Sequence, residues 1–343
     1  EAHYFLADTF RQRNDGGNAL AQLQVFRQQP QTLAGDTDAA IADVLSRAGD
    51  SAGAIVQFDR ALQDPTLAVA TRVNILMRAG TVHLIRGEGA LAGARYDAAL
   101  ALVSDDKLRA TLNWNAGQAY AAANRMDLAA AHWNTALTDT PEQPGAQQAL
   151  AELTNRKIAV DDFQRGLVEY HAGNYDPAIA AFQRYLQGAA PRAGQAHYYL
   201  ARSYAGKGAL TQAIGEYDVI INTLPGDPAV PDAFMGKAAA NEAVGNIDEA
   251  VRVYRRLPAV RPDAARADEA LLRAGLVLER SRRYQEAALV FEQLQSTYPA
   301  RDAERAAEGM FRAGLDYYRL QDFQTATARW QFLVEQYPQS DFY

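Results

Sequence analysis

The sequence contains no cysteine, which excludes disulfide staples, thiolate metal sites and cysteine nucleophiles. Lysine is scarce: Lys107, Lys157, Lys207 and Lys237 are the only four among 34 basic residues, and the arginine excess is read as compositional, the mark of a GC-rich genome. No run approaches the roughly 20 apolar residues that a membrane-spanning helix needs. Thirteen prolines and 24 glycines in 343 residues are too few for a disordered or collagenous chain. A net charge of −7 lacks the basic surplus that nucleic acid rewards, so the partner classes left open are peptide, protein and glycan. The chain opens at Glu1 without Met or a leader, already inside the helical pattern "AHYFLADTF". It reads as a trimmed piece of a longer protein.

Catalytic signatures are missing as well. The histidines His3, His83, His132, His171 and His197 are scattered, with no second ligand at metal spacing, and are read as structural. "GEGALA", residues 87–92, matches a dinucleotide loop formally but follows no strand pattern. No phosphate loop, nucleophile elbow or zinc-protease motif is present. No catalytic residue, metal or cofactor is therefore expected.

What the chain has is a repeat. Around Ala326 stand Gly314 twelve residues before, Trp330 four after, Leu333 seven after and Pro338 twelve after. The frame recurs at Ala287 (Gly275, Phe291, Leu294, Pro299), Ala250 (Ala238, Tyr254, Leu257, Pro262), Ala213 (Ala201, Tyr217, Ile220, Pro225) and Ala129 (Gly117, Trp133, Ala136, Pro141). Looser copies centre on Ala178, Ala92, Ala54 and Ala19. Steps between anchors are 35, 38, 37, 49, 35, 37, 37 and 39 residues. Each unit holds two stretches of helical period separated by Gly or Asn (Gly49, Gly87, Asn124, Gly173, Gly208, Gly245), which is a helix hairpin. The small residues let the two helices approach, the aromatic fills the gap beside them, and proline ends the second helix.

One step is out of phase. The excess lies in "PEQPGAQQALAELTNRKIAVDD", residues 141–162, where Ala146, Ala149, Leu150 and Leu153 share one helical face. It predicts an extra or extended helix, dividing the chain into 1–140, 141–162 and 163–343. Residues after Pro338 read as a cut repeat, with Phe332 or Val334 expected at a raw, solvent-facing end.

"WNAGQAY…AAAHWNTALTDTP", residues 114–141, resembles the tetratricopeptide signature W-x2-L-G-x2-Y…A-x3-F…P. The resemblance implies an all-α solenoid, a right-handed superhelix of about nine hairpins. In that family the first helices line a concave groove, through positions three before and one after the small residue. Here the implied face holds Tyr4 and Asp8, Trp114 and Gln118, Phe163 and Leu167, Tyr198 and Arg202, Met235 and Ala239, Leu272 and Leu276, Phe311 and Leu315. The family's clamp for a terminal carboxylate needs Lys or Arg with Asn at these places, and the sequence lacks it. The aromatics suit an extended peptide, a sugar, another part of the same polypeptide, or packing between hairpins.

The last units, with their "YP" endings, resemble the helical region of bacterial soluble lytic transglycosylases. That resemblance implies a cell-envelope, periplasmic scaffold in peptidoglycan processing. The family's catalytic Glu-Ser pair occurs nowhere in the chain, so a catalytic domain would lie beyond Tyr343. Two other readings stay open: an envelope interaction scaffold of the outer-membrane assembly lipoprotein type, and a cytosolic regulatory scaffold.

Overall fold

The computed structural model describes residues 2–29 and 33–342. Among the described residues there are nineteen helices and no strand. The chain forms two compact units, residues 1–172 and 173–343. The first holds α1 (Ala2–Gln12), α2 (Gly16–Arg27), α3 (Ala34–Arg47), α4 (Ser51–Leu62), α5 (Val69–Ile85), α6 (Gly89–Leu100), α7 (Asp106–Ala122), α8 (Met126–Asp139), α9 (Pro144–Asn155) and α10 (Asp162–His171). The second holds α11 (Tyr175–Leu186), α12 (Ala193–Gly206), α13 (Leu210–Thr223), α14 (Val230–Ala243), α15 (Ile247–Val260), α16 (Ala267–Arg280), α17 (Tyr284–Thr297), α18 (Ala303–Arg319) and α19 (Phe323–Gln336). Within each unit a helix packs chiefly on its chain neighbours, so the core is a series of small clusters, as a repeat protein requires.

The packing frame is steric. A Cβ placed on Gly117 would stand 2.2 Å from Trp133 Nε1, one on Gly275 2.3 Å from Phe291 Cε1, and one on Gly314 2.4 Å from Trp330 Nε1. Each glycine thus lies directly under the aromatic that follows the anchor alanine. The anchors Ala19, Ala54, Ala92, Ala129, Ala178, Ala213, Ala250 and Ala287 are wholly buried. Burying a side chain such as Phe291 contributes on the order of 2–3 kcal/mol.

Hairpin turns use the left-handed backbone region. Gly49, Gly87, Gly173, Gly208 and Gly245 have φ between 75° and 85°, and Asn124 has φ 59°. The Asp50 and Asp322 carboxylates then cap α4 and α19 by accepting from the third residue on, satisfying one orphan amide at each start. At the other end, prolines follow the second helices, and a ladder joins successive repeats through their carbonyls. Arg261 donates to Pro225 O at 3.0 Å, the Tyr298 hydroxyl to Pro262 O at 2.9 Å, and the Tyr337 hydroxyl to Pro299 O at 3.2 Å.

The interruption in the period holds α9, with Pro144 in its first turn. Its Ala146, Ala149, Leu150 and Leu153 are buried against Tyr120 of α7 and Trp133, Ala136 and Leu137 of α8. In α19, Val334 is exposed, while Phe332 packs beside Leu333 and Tyr337.

Candidate functional site

Of the implied face, Tyr4, Trp114, Gln118, Phe163, Tyr198, Arg202 and Phe311 are the candidate binding residues, and the structure separates them. Tyr198 and Arg202, one turn apart on α12, come together with Met235 and Ala239 of α14 around a cavity of about 250 Å³. The Arg202 guanidinium carbon lies 5.7 Å from the Tyr198 ring centre. Phe311 of α18 is exposed and its ring packs 5.5 Å from Phe342, outside that cavity. In the first unit Tyr4 is half-buried, 5.5 Å from Phe26. Trp114 is half-buried, 6.4 Å from Trp133 and packed on the α7–α9 cluster. Gln118 is half-buried. Phe163 is a correction: it is only 2% exposed, a core side chain with no face to offer a ligand.

A second cavity, of about 410 Å³, adjoins the first and shares Arg273 with it. Leu276 and Tyr284 give its apolar surface, and Glu279, Arg280, Arg312 and Arg319 its charge. Together the cavities form a groove along α14, α16 and α18. Its chemistry follows from a stripe: Arg266 at the N-cap of α16 and Arg273 and Arg280 within it stand at seven-residue steps, and α18 carries Arg305, Arg312 and Arg319 at the same steps. Seven residues are two helical turns, so each triplet shares one face.

All of these arginines but Arg273 tie their helix to the first helix before it. Arg266 meets Asp232 at 2.6 Å and Arg280 meets Glu242 at 2.6 Å, joining α16 to α14. Arg305 pairs with Asp268, while Arg312 and Arg319 reach Glu279 at 3.0 and 2.5 Å, joining α18 to α16. The Arg319 guanidinium also covers the Tyr284 ring at 5.2 Å. Exposed pairs of this kind contribute about 0.2–1 kcal/mol each. The Glu279 pairs are the better shielded, because that carboxylate is only 12% exposed.

Beneath the stripe lies Asp316, wholly buried. One carboxylate oxygen accepts from Arg319 at 3.0 Å, and Oδ2 finds no partner among the described residues. Burial, reinforced by the negative charge of Glu279 and opposed by Arg319, pushes its carboxyl up to about 7. Glu269 goes the other way, held below the usual range mainly by its hydrogen bonds from Arg266.

Sequence reasoning found Arg202 but missed the groove's other arginines by treating arginine as composition. The signal was present in the seven-residue spacing and its recurrence 39 residues on. Three of the histidines occupy one structural niche, four before the small residue or three after the anchor. His3 meets Gln22 at 2.7 Å, His132 meets Asn113 at 3.1 Å and His197 meets Glu216 at 2.6 Å. Each pair bridges the two helices of one hairpin.

Family models described as tetratricopeptide repeat match residues 163–234, 235–304 and 308–340, which together span just over half of the chain. No curated protein sequence matches it. A tetratricopeptide repeat protein from Parabacteroides merdae is similar over 78% of this chain and 96% of its own, at 15% identity and TM-score 0.34. The C-terminal part of a TPR repeat-containing protein from Cytophaga hutchinsonii is similar over 78% and 97%, at 18% identity and TM-score 0.36. The TPR2AB domain of yeast Sti1, solved as a pHSP90 complex, is similar over 69% and 95%, at 17% identity and TM-score 0.29. Likenesses at such scores lend no weight, and the assignment rests on the sequence models.

Proposed function

The chain belongs to the tetratricopeptide-repeat family, and from that premise we propose that it is a non-catalytic scaffold holding a protein or peptide partner along the α14–α18 groove. The observation that carries this reading is the pair of adjoining cavities, open to solvent and meeting at Arg273. A concave, partly apolar surface with convergent polar groups is the usual form of a binding site. A photo-crosslinking residue placed at Leu276 in the groove should capture a polypeptide partner in cells. The same residue at Leu289, an exposed position on α17, should not. Equal capture from both positions, or none from either, overturns the reading.

The finer proposal is that this scaffold works in the cell envelope, as the helical part of a lytic transglycosylase that processes peptidoglycan. Its support is the sequence texture of residues 298–343 alone. Tagged protein should fractionate with the periplasm, and residues 1–343 alone should leave a peptidoglycan suspension turbid while the product of the whole gene clears it. Periplasmic protein whose whole gene product does not clear the suspension would favour an interaction scaffold of the assembly-lipoprotein type. A cytosolic fraction would favour the regulatory scaffold.

A further inference from the structure

We propose that the partner segment is acidic: the α14–α18 groove takes a polypeptide stretch bearing Asp or Glu side chains, with Arg273 as its principal carboxylate contact. This deepens the scaffold reading and rests on it.

The first argument is charge. The walls of the two cavities carry Arg202, Arg266, Arg273, Arg280, Arg312 and Arg319 against only Asp232, Glu269 and Glu279. On a chain whose net charge is −7, that is a local reversal of sign. A concave surface lined by one sign concentrates the opposite charge.

The second argument is what the arginines already do. Arg266 and Arg280 hold Asp232 and Glu242, and Arg312 and Arg319 hold Glu279. Arg273 differs from all four. Its approach to a carboxylate is to Glu269 of its own helix, at 3.7 Å from Nε, too long for a hydrogen bond. Its side chain is 55% exposed. The repeat frame brings out the contrast. Arg312, its counterpart on α18, docks on Glu279 of the helix before. The matching carboxylate for Arg273 is Glu242, and Arg280 holds that at 2.6 Å. Arg273 is left where the two cavities meet, with a guanidinium fork that suits a bidentate carboxylate.

The third argument narrows the ligand. Leu276 and Tyr284 on one side, and Met235 and Ala239 on the other, flank Arg273 with apolar surface, which fits amino-acid side chains between the acids. Three carboxylates in the same wall oppose a dense polyphosphate. Apart from Arg202, the arginines also lie outside the positions three before and one after the small residue, which here are Tyr198, Arg202, Met235, Ala239, Leu272 and Leu276. The recognition is of acidic side chains along a segment, and no chain terminus is required.

The test is fluorescence anisotropy on the whole chain with three labelled dodecapeptides of identical Leu/Ala spacing, bearing Glu, Gln or Lys at the remaining positions. At about 50 mM salt, where screening is weak, the Glu peptide should bind about tenfold tighter than the Gln peptide, and the Lys peptide should not bind. Arg273→Gln should weaken the Glu peptide about fivefold and leave the Gln peptide unchanged. Equal binding of the Glu and Gln peptides, both abolished by Leu276→Glu, overturns the acidic partner and leaves the scaffold standing. Arg273→Gln without effect on the Glu peptide overturns the role of Arg273. Oligothymidylate binding with the same Arg273 dependence, without Glu-peptide binding, replaces polypeptide by nucleic acid. Failure of all three peptides also overturns the proposal, and the scaffold reading is then decided by crosslinking at Leu276.

Discussion

Hairpin α7/α8 of the first unit and hairpin α16/α17 of the second share one frame, Gly117 under Trp133 and Gly275 under Phe291. They differ in what sits at the crossing. In α7/α8 the pair is polar, Asn113 against His132, and it extends outward. His132 Nε2 lies 3.0 Å from Asp97 Oδ1, Asp97 accepts from the Tyr120 hydroxyl at 2.5 Å, and the Tyr120 and His132 rings stack at 5.5 Å. In α16/α17 the same places hold Leu271 and Val290, both buried. Around α16 the charge lies instead between successive first helices, as the arginine stripes. Polarity inside a hairpin rigidifies that hairpin, because a satisfied buried network fixes one geometry. Polarity between hairpins builds a wall that another molecule can meet. The same backbone therefore makes a closed surface in one place and a receptive one in the other.

The shared part of this comparison breaks first if the frame is wrong. Gly117→Leu and Gly275→Leu should each cost about 3 kcal/mol by overpacking, because Trp133 and Phe291 are fully buried and have nowhere to move. Gly314→Leu should cost less, since Trp330 is only half-buried and can swing aside. Urea midpoints followed by circular dichroism measure all three. Equal losses at the three glycines would mean that the aromatic's freedom is irrelevant.

Titration should pull the two units in opposite directions. Asp316 has a folded-state carboxyl near 7 against 3.8 unfolded. Its folded state therefore holds the proton longer, and its contribution to stability falls as pH rises from about 4 to 7, then stays flat. Asp316→Asn keeps an acceptor for Arg319 and removes the buried charge. It should stabilise the protein by about 2 kcal/mol at pH 8 and by much less at pH 4. His132 has the contrary sign: burial lowers its pKa below 6.5, with Asp97 opposing. Its contribution is complete above the unfolded value and shrinks as pH falls below it. Urea midpoints of wild type, Asp316→Asn and His132→Gln at pH 4, 6 and 8 separate the two slopes. Identical pH profiles for all three proteins would remove the contrast.

The frame was legible because sterics leave a residue-level record. Ala287, Gly275 and Phe291 can hardly be exchanged without a clash or a void, so they stand in the sequence at fixed intervals. The helix α9 was legible for the same reason, through Ala146, Ala149, Leu150 and Leu153. The groove was not. Arg273 and Arg312 have the same identity and register, yet one is open and the other is docked on Glu279. Arg312 reaches Glu279 although Arg319 holds it too, while Glu242 is held by Arg280, and such differences depend on contact geometry between helices more than 30 residues apart in the chain. Phe163 failed differently: position alone does not tell whether an aromatic on a first helix faces a groove or the core.

The carbonyl ladder of the second unit is the next point of contrast. Tyr298→Phe should cost about 1 kcal/mol, the usual net worth of a hydrogen bond, and Tyr337→Phe somewhat less, given its longer 3.2 Å contact. The first unit makes a similar tie with Arg72, which donates to Leu62 O and Asp64 O at 2.8 Å. Arg72→Met should therefore match or exceed the Tyr298 loss, since two bonds to a charged donor disappear. A Tyr298→Phe midpoint equal to wild type would show that the ladder accompanies the repeat without holding it.

The smallest effect comes from the turns within hairpins, where the first unit keeps to Gly and Asn (Lys157, at φ 56°, lies in the turn after the extra helix α9) and the second does not. In the first, the left-handed position is held by Asn14, Gly49, Gly87 and Asn124 in turn, residues that tolerate positive φ. In the second, Gly173, Gly208 and Gly245 are followed by Arg282 at φ 59° and Gln321 at φ 64°. An ordinary L side chain in that region costs about 1–2 kcal/mol through the crowding of its Cβ against the carbonyl. Both residues are exposed. Arg282→Gly relieves that crowding and loses some of the gain to the larger entropy of an unfolded glycine. The balance should be a stabilisation of about 0.5–1 kcal/mol, with Gln321→Gly alike and the two additive, because their turns lie in separate hairpins. Arg282→Asn should recover roughly half of the gain, as a side chain that adopts the left-handed region more readily. Destabilisation by Arg282→Gly would mean that the arginine makes a contact that outweighs its backbone strain.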